Sequence, residues 1–184
     1  KAADIPAGCY GMQCCFSDVM NFIDWKHASP TFTNFLLEPE KFNKYTFYRA
    51  ILENTALLVR SHIELVREAT GHEPDELIFA GGAAKSPLWS QIVADVTGKP
   101  VKVPVVKEAT ALGAAILAGV GVGLYADIEE AVERTVKWDR QFQPNLSVKP
   151  VYDQLYADWK KIYPVQLALC DRGVTRNMWI APGL

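Results

Sequence analysis

The residues with the clearest chemical potential lie between Ile78 and Trp89, where an apolar stretch runs into two glycines and a helix pattern begins soon after. Gly81 and Gly82 carry no Cβ, so the backbone there can turn sharply and a flat or charged ligand can contact the main chain. The helix expected from Pro87 presents free N–H groups and the positive end of its dipole, which suit an anion. In open α/β sheets ligands bind beyond the carboxyl ends of strands. The segment therefore predicts an anion-binding turn.

A plainer interpretation of this turn stays open, because two glycines can simply make a tight connection between a strand and a helix. The spacing is neither that of a P-loop nor that of the Gly-x-Gly-x-x-Gly dinucleotide fingerprint. Lys85 could reach a phosphate, although the pattern alone slightly favours a solvated surface lysine. Ser86 is predicted to be the N-cap of the following helix, with Pro87 in its first turn.

A second element with functional potential runs from Glu108 to Ala115 and reads Glu-Ala-Thr-Ala-Leu-Gly-Ala-Ala. Glu108 and Thr110 stand where a carboxylate or hydroxyl can cap a helix. The small side chains that follow allow close approach of another surface, and they suit packing against the glycine turn. We expect this element to shape a pocket rather than to perform chemistry.

The elements that must position these residues alternate between helical and strand patterns, which indicates an α/β layered domain. A long helix is predicted from Lys44 to about Thr70, with Asn43 as its cap and Gly71 as its left-handed end. Only two strands stand out clearly, so the rest of the sheet is expected upstream of Lys1. The remaining predicted elements are strands at Glu76–Ala80 and Val101–Val105, a short strand within Thr31–Leu37, and helices from Pro87 to just before Gly98, at Ala109–Val120, Ile128–Thr135 and Val151–Leu169.

These elements suggest three parts of one domain. Residues 1–42 are irregular and are expected to complete the upstream part of the domain. Residues 43–137 form the predicted nucleotide-binding α/β core, and residues 138–184 a helical tail packed on it. The aromatic residues of the tail could stack on a sugar, but their largely helical spacing favours packing in the core or between domains. They are Trp138, Tyr152, Tyr156, Trp159, Tyr163 and Trp179.

Composition excludes several other classes of protein. The chain has 184 residues, 49% of them hydrophobic and 22% charged, as in an ordinary soluble domain. The net charge of −2 disfavours nucleic acid or an anionic membrane as partner. No apolar run approaches the length of a membrane span. The four cysteines form no Cys-x-x-Cys pair and do not cluster with histidines, so we expect buried reduced thiols in a cytoplasmic protein and no metal site.

The motifs together resemble the C-terminal domain of the FGGY family of carbohydrate kinases, which includes glycerol, xylulose and gluconate kinases. The order and spacing of the family pattern fit over about 40 residues. An upstream family element with an Arg-Ala-x-x-Glu core is matched by Arg49, Ala50 and Glu53. The stretches that carry the main resemblance are Gly81–Gln91, Ala94-Asp95, Gly98–Val101 and Glu108–Ala115.

Five further stretches narrow the resemblance to family members that act on a linear quorum-sensing signal, and they span nearly the whole chain. This similarity implies ATP-dependent phosphorylation of linear, hydrated dihydroxypentanedione at its terminal hydroxyl. A pentulose such as xylulose is the alternative substrate, because substrate contacts in the family come largely from the other half of the protein. The stretches are Phe16–Met20, Trp25–Pro30, Pro39–Lys44, Phe79–Gly82 and Trp179–Leu184.

The resemblance also implies an actin-like (RNase H-like) ATPase fold, with ATP and Mg²⁺ bound between two domains. Gly82 would then lie on the nucleotide phosphates and Ser86 near the adenosine. Gly81, Ala83 and Lys85 would line the same pocket. Many relatives carry Asn at the position of Ser86, so the hydrogen bonds to adenosine at that position are an open question.

The catalytic aspartate and the N-terminal phosphate loop of the family are expected upstream of Lys1, so we assign no catalytic residue and expect this part alone to be inactive. Asp4, Asp18 and Asp24 are interpreted as turn or surface residues. The expected partners are ATP, a sugar-like substrate and the N-terminal half of the same polypeptide, and a homodimer is left open. A non-catalytic actin-like module that binds nucleotide for regulation or assembly is the competing hypothesis.

Overall fold

A computed structural model describes residues 1–16 and 26–180 of the chain. Helices and strands alternate through it, as the α/β prediction requires. The helices are α1 (Lys44–Thr70), α2 (Pro87–Thr97), α3 (Ala109–Gly121), α4 (Ile128–Thr135) and α5 (Lys149–Asp171). The strands are β1 (Gln13–Cys15), β2 (Lys26–Ala28), β3 (Thr31–Thr33), β4 (Leu77–Ile78), β5 (Val101–Pro104), β6 (Trp138–Phe142) and β7 (Asn177–Ile180).

The long helix α1 begins and ends at the residues that the sequence predicts. Asn43 has extended backbone and its side chain accepts a hydrogen bond from the Tyr45 amide, which satisfies one of the free donors of the first turn. Gly71 ends the helix with a left-handed φ of 73° and donates its amide to the Arg67 carbonyl. A residue with a Cβ is disfavoured in that conformation, which explains the glycine.

The sheet that carries the glycine turn has three strands in the order β4-β5-β6. β4 and β5 are parallel, with Leu77 opposite Val101, and β6 is antiparallel to β5. Two smaller antiparallel pairs, β1 with β3 and β2 with β7, lie outside this sheet. The described part of the chain thus supplies one edge of an α/β sheet, flanked by helices.

Two parts of the chain contain more strand than the sequence predicts. Residues 1–42 were expected to be irregular except for one short strand, yet they contain β1, β2 and β3. The expected helical tail begins with β6 and ends with β7, both paired to distant strands. These strands are three to five residues long and lack a clear apolar alternation, so only their tertiary partners stabilise them.

The main core lies between α1, α2, α5 and one face of the sheet. Leu57, Ile92, Val101 and Trp159 are among its members with 2% or less of their surface exposed. Four aromatic residues of the tail, Tyr152, Tyr156, Trp159 and Tyr163, are buried in this cluster. The packing interpretation of those four is therefore confirmed, whereas Trp138 and Trp179 are 46% and 43% exposed.

The Arg-Ala-x-x-Glu element places an ion pair inside this core. Arg49 Nε lies 2.9 Å from Glu53 Oε1, and both side chains are nearly fully buried. The same carboxylate oxygen accepts hydrogen bonds from the Tyr152 hydroxyl at 3.0 Å and the Gly8 amide at 3.1 Å. A buried charge requires such partners, and these join α1, α5 and the N-terminal segment.

Candidate functional site

The glycine turn follows β4 directly and has a backbone that only glycine adopts readily. Gly81 has φ 84° and ψ −170°, a combination in which a Cβ would clash with its own backbone. Its amide donates to the Lys107 carbonyl at 2.8 Å. This bond ties the turn to the connection between β5 and α3, so the two sequence elements singled out for function lie side by side.

Gly82 opens a single 3₁₀ turn that continues through Ala83 and Ala84 to Lys85. A Cβ placed on Gly82 would meet no other atom within 4 Å, and its φ is not left-handed. The fold of the described residues therefore gives no steric reason for a glycine at this position. Open space above a residue that lacks a side chain is what close approach of a ligand to the backbone requires.

Ser86 has two roles that end the turn and begin α2. Its Oγ accepts a hydrogen bond from the Trp89 amide at 3.3 Å, and its carbonyl accepts from the Ser90 amide and hydroxyl, both at 3.1 Å. The predicted N-cap is thus confirmed, with Pro87 in the first helical turn. The cap uses an acceptor lone pair of the hydroxyl, whose proton can still be donated to a ligand.

Lys85 and Glu108 face each other across the open side of the turn. The Lys85 Nζ lies 3.6 Å from a Glu108 carboxylate oxygen, and the two side chains are 63% and 73% exposed. An exposed pair at this distance is weak, because water and salt screen it. Lys85 is therefore a surface lysine in this structure, and it can turn toward an anion at small cost.

Arg140, Lys107 and Asp139, which the motif analysis missed, support the turn on the side of the sheet. The Arg140 guanidinium on β6 donates to the carbonyl of the fully buried Ala84 at 3.4 Å. The Lys107 ammonium contacts the Asp139 carboxylate at 2.8 Å and the Pro104 carbonyl, and its hydrogen bond holds the pKa of Asp139 below its usual range. No local pattern marks Asp139 and Arg140, because β6 reaches the turn only through its pairing with β5.

Motif residues on α2 have structural contacts of their own. The Trp89 indole N–H donates to Thr55 Oγ1 at 2.7 Å, which ties the start of α2 to α1. Gln91 and Asp95 lie one helical turn apart, and they bind the Gln143 carbonyl and the Asn145 amide, each at 2.8 Å. The two polar residues thus fix the chain after β6, which keeps Arg140 beside the turn.

Asp4, one of the three aspartates that were set aside as catalytic candidates, does not join this site. Asp4 is exposed at the N-terminal 3₁₀ turn, and Asp18 and Asp24 lie outside the described residues. Among residues 1–16 and 26–180, no three His, Cys, Asp or Glu side chains are close enough together to hold a metal ion. Within the same residues, no helix has the length and apolar content needed to cross a membrane.

Comparison with known proteins decides the family. Residues 10–122 match the model of the C-terminal domain of the FGGY family of carbohydrate kinases, which is more than half of the chain. The chain belongs to the FGGY family of carbohydrate kinases. Autoinducer-2 kinases of Yersinia enterocolitica and Yersinia pestis are 51% and 52% identical to it over 183 residues. The chain spans only about a third of the length of these FGGY relatives, 35% and 34% respectively.

Solved FGGY structures confirm the actin-like fold. Xylulose kinase from Rhodospirillum rubrum superposes with a TM-score of 0.73 and 29% identity, over 91% of this chain and 33% of that one. Plasmodium falciparum glycerol kinase, solved with ADP, gives a TM-score of 0.69 at 20% identity, over 90% of this chain and 33% of its own. Similarity at that level of identity concerns the fold alone.

Proposed function

We propose that the turn formed by Gly81, Gly82, Ala83, Lys85 and Ser86 binds the phosphates and adenosine of ATP or ADP. The observation that carries this proposal is the open space above Gly82, at the point where β4 ends and α2 begins. The turn combines a backbone that a ligand can approach, the N-terminus of an 11-residue helix and an exposed lysine. Among residues 1–16 and 26–180, no other segment singled out in the sequence combines these features.

The residues of the turn fit a nucleotide in complementary ways. Gly82 would allow the phosphates to contact the main chain. Lys85 would move away from Glu108, and its ammonium would neutralise part of the phosphates' negative charge. The Ser86 hydroxyl would donate its proton to the adenosine side while its oxygen keeps the cap of α2. Bound ATP would supply the phosphoryl group, and this chain would hold and orient the nucleotide.

Other parts of the reaction are assigned to residues outside this chain. We propose that the chain is the C-terminal part of a longer kinase, called the parent protein below, because it spans about a third of its relatives. Phosphoryl transfer depends on placing both reactants and neutralising charge. The catalytic base, the ligands of Mg²⁺ and most substrate contacts would therefore come from the remaining two thirds. The turn alone holds one side of the nucleotide.

We propose dihydroxypentanedione as the substrate of the parent protein, which would make it an autoinducer-2 kinase. The support is the 51–52% identity with Yersinia proteins of that name along the whole chain. A pentulose is the second candidate, because the Rhodospirillum rubrum xylulose kinase is 29% identical. We place the reaction in the cytoplasm, where ATP is available and where the four buried cysteine thiols would stay reduced.

The decisive experiment assays the parent protein for ATP-dependent phosphorylation of dihydroxypentanedione, with xylulose and other pentuloses in parallel. Turnover of dihydroxypentanedione with the highest kcat/KM supports the proposal, and preference for xylulose selects the second candidate. Binding of ADP without turnover of any sugar or polyol would instead favour a non-catalytic nucleotide-binding module. Absence of ADP binding would contradict the proposed role of the turn.

A further inference from the structure

The carbonyl of Ala84 lies within the glycine turn and lacks the partner that its own turn would normally provide. In a 3₁₀ turn each carbonyl accepts from the amide three residues on, as the Gly81 carbonyl does from the Ala84 amide at 3.2 Å. The residue three positions after Ala84 is Pro87, which has no N–H to donate. Ala84 is fully buried, and a buried carbonyl requires a hydrogen-bond donor from elsewhere in the protein.

Arg140 supplies this donor from the neighbouring strand β6. Its Nη2 lies 3.4 Å from the Ala84 carbonyl oxygen, and its Nε lies 3.2 Å from Asp139 Oδ2. The guanidinium thus directs two of its nitrogens at two different acceptors. Because an arginine holds its donors in a rigid planar fork, the contact with Asp139 also fixes the direction of the contact with Ala84. A lysine has one ammonium nitrogen in place of the fork and would lose this geometry.

The amide at the start of the turn is held through the same carboxylate. The Gly81 amide donates to the Lys107 carbonyl at 2.8 Å. The Lys107 ammonium in turn lies 2.8 Å from Asp139 Oδ2 and also donates to the Pro104 carbonyl. Only 15% of the Lys107 side chain is exposed, so water screens this ion pair less than it screens a pair on the open surface.

These contacts form a closed ring that begins and ends in the turn, and we call it the support ring. It holds the backbone on both sides of Gly82, the position with open space for a ligand. The ring contains two cationic side chains and one carboxylate, so its net charge is positive and favours an anion nearby. Its members in order are Gly81, Lys107, Asp139, Arg140 and Ala84.

We infer that Lys107, Asp139 and Arg140 are positioning residues for the nucleotide, because they hold the backbone from Gly81 to Ala84 in the conformation that receives the phosphates. Their side chains need not touch the nucleotide to have this effect. A backbone that is already fixed loses less conformational freedom when a ligand binds, and the affinity is higher as a result. The inference rests on the proposed nucleotide site and goes beyond it, since none of the three residues belongs to the glycine turn.

A purely structural role for the support ring predicts a different result. If the ring only joined β6 to β5, breaking it would lower the stability of the protein and leave the affinity of the folded protein for ADP unchanged. The backbone of β6 also pairs with β5 from Phe142, opposite Val101, to Trp138, opposite Pro104. These backbone pairs do not involve the side chain of Arg140, so β6 should keep its place when that side chain is replaced.

The test replaces Arg140 with Lys in the intact parent protein. Arg140→Lys keeps the positive charge but removes the forked contact, so the dissociation constant for ADP should rise by about five- to tenfold. The KM for ATP should rise by a similar factor, while kcat and the KM for the sugar-like substrate should stay within about twofold. Asp139→Asn is the second variant, and it should weaken ADP binding as well, because it removes the charge that holds both Lys107 and Arg140. Arg134→Lys is the matched control, since Arg134 forms a 3.1 Å pair with Glu130 on α4, outside the support ring.

Hydrogen exchange without nucleotide measures the support ring separately from ADP binding. The Gly81 amide should exchange about tenfold faster or more in Arg140→Lys than in the unmodified parent protein, because local opening of the turn exposes it. Both measurements are made well below the midpoint of thermal unfolding, which is recorded for each variant.

Three results would overturn the inference while leaving the proposed nucleotide site intact. One is an unchanged ADP affinity in folded Arg140→Lys and Asp139→Asn, in a parent protein that does bind ADP. Another is equal loss of ADP affinity in Arg140→Lys and in the control Arg134→Lys. The third is equal exchange of the Gly81 amide with and without the Arg140 fork. Absence of ADP binding to the unmodified parent protein would instead overturn the proposed site, and the role of the ring with it.

Discussion

The Gly81 amide donates a 2.8 Å hydrogen bond to the Lys107 carbonyl, and this bond joins the two segments whose sequence suggested a ligand site. They are 26 residues apart in the chain and meet because β4 and β5 are parallel neighbours. Parallel strands bring their carboxyl ends to the same edge of a sheet, so the connections that follow them lie together. The turn is therefore held by the sheet on one side and left open at Gly82 on the other.

Replacing Gly82 with Val should weaken ADP binding to the parent protein by about tenfold or more, since the new side chain would occupy the space above the turn. Thermal unfolding should change little, because a Cβ at this position meets no atom of the described residues. Isothermal titration with ADP measures the effect. The ADP affinity of Gly82→Ala should lie between those of the unmodified protein and of Gly82→Val. Gly121→Val is the control, since Gly121 is equally open but lies at the far end of α3. Unchanged affinity in Gly82→Val would remove Gly82 from the site.

Ser86→Ala and Ser86→Asn should have different effects on stability. Alanine removes the side chain that accepts from the Trp89 amide, which should lower the free energy of unfolding by about 1 kcal/mol. Asparagine can accept the same hydrogen bond and should leave the stability nearly unchanged. Urea unfolding followed by tryptophan fluorescence compares the two. Equal destabilisation by both substitutions would argue against the capping role, and an altered ADP affinity in Ser86→Asn would report on the contact with adenosine.

Removal of the Glu53 carboxylate should be among the most damaging single changes in this chain. Glu53→Ala would leave Arg49 buried without its partner and would free the Gly8 amide and the Tyr152 hydroxyl. We expect a loss of about 3–5 kcal/mol in the free energy of unfolding, measured by denaturant titration. Glu38→Ala, which breaks only the exposed pair with Lys41, should change it little. Similar losses in both variants would mean that the buried network has no special role.

Stability should fall as the pH rises above about 9. Burial, followed by the charge of Glu53, raises the pKa of Cys9 and of Tyr152 above their ordinary values of 9.0 and 10.0, and burial raises the pKa of Cys14 to about 12. At alkaline pH the unfolded chain therefore loses protons that the folded chain keeps, which favours unfolding. Denaturant midpoints between pH 8 and 11 measure this slope.

Tyr152→Phe should make that alkaline slope shallower, although its lost hydrogen bonds also lower the stability at pH 8. Tyr48→Phe is the control, because it removes the hydroxyl of a ring that is 51% exposed. A slope that is the same in both variants and in the unmodified protein would show that Tyr152 does not titrate as its burial implies.

The sequence by itself determined the helices, the cap residues and the position of the glycine turn. Asn43, Gly71 and Ser86 act through hydrogen bonds or backbone conformations that involve only their chain neighbours, so their residue types are sufficient evidence. The order and spacing of the motifs over about 40 residues were sufficient to predict the family as well. Each motif residue was recognised from its type and its distance along the chain, and neither requires knowledge of tertiary contacts.

Only the tertiary structure decided which residues support the turn and which surface is left open. Asp139 and Arg140 reach Lys107 and the turn through the pairing of β6 with β5, which joins residues 34 to 41 positions apart. The short strands β1, β2 and β7 likewise depend on distant partners, and no local pattern marks them. The small residues of α3 suggested close packing, but only the fold showed that the described residues bury Ile116 and Gly119 and leave most of the helix exposed.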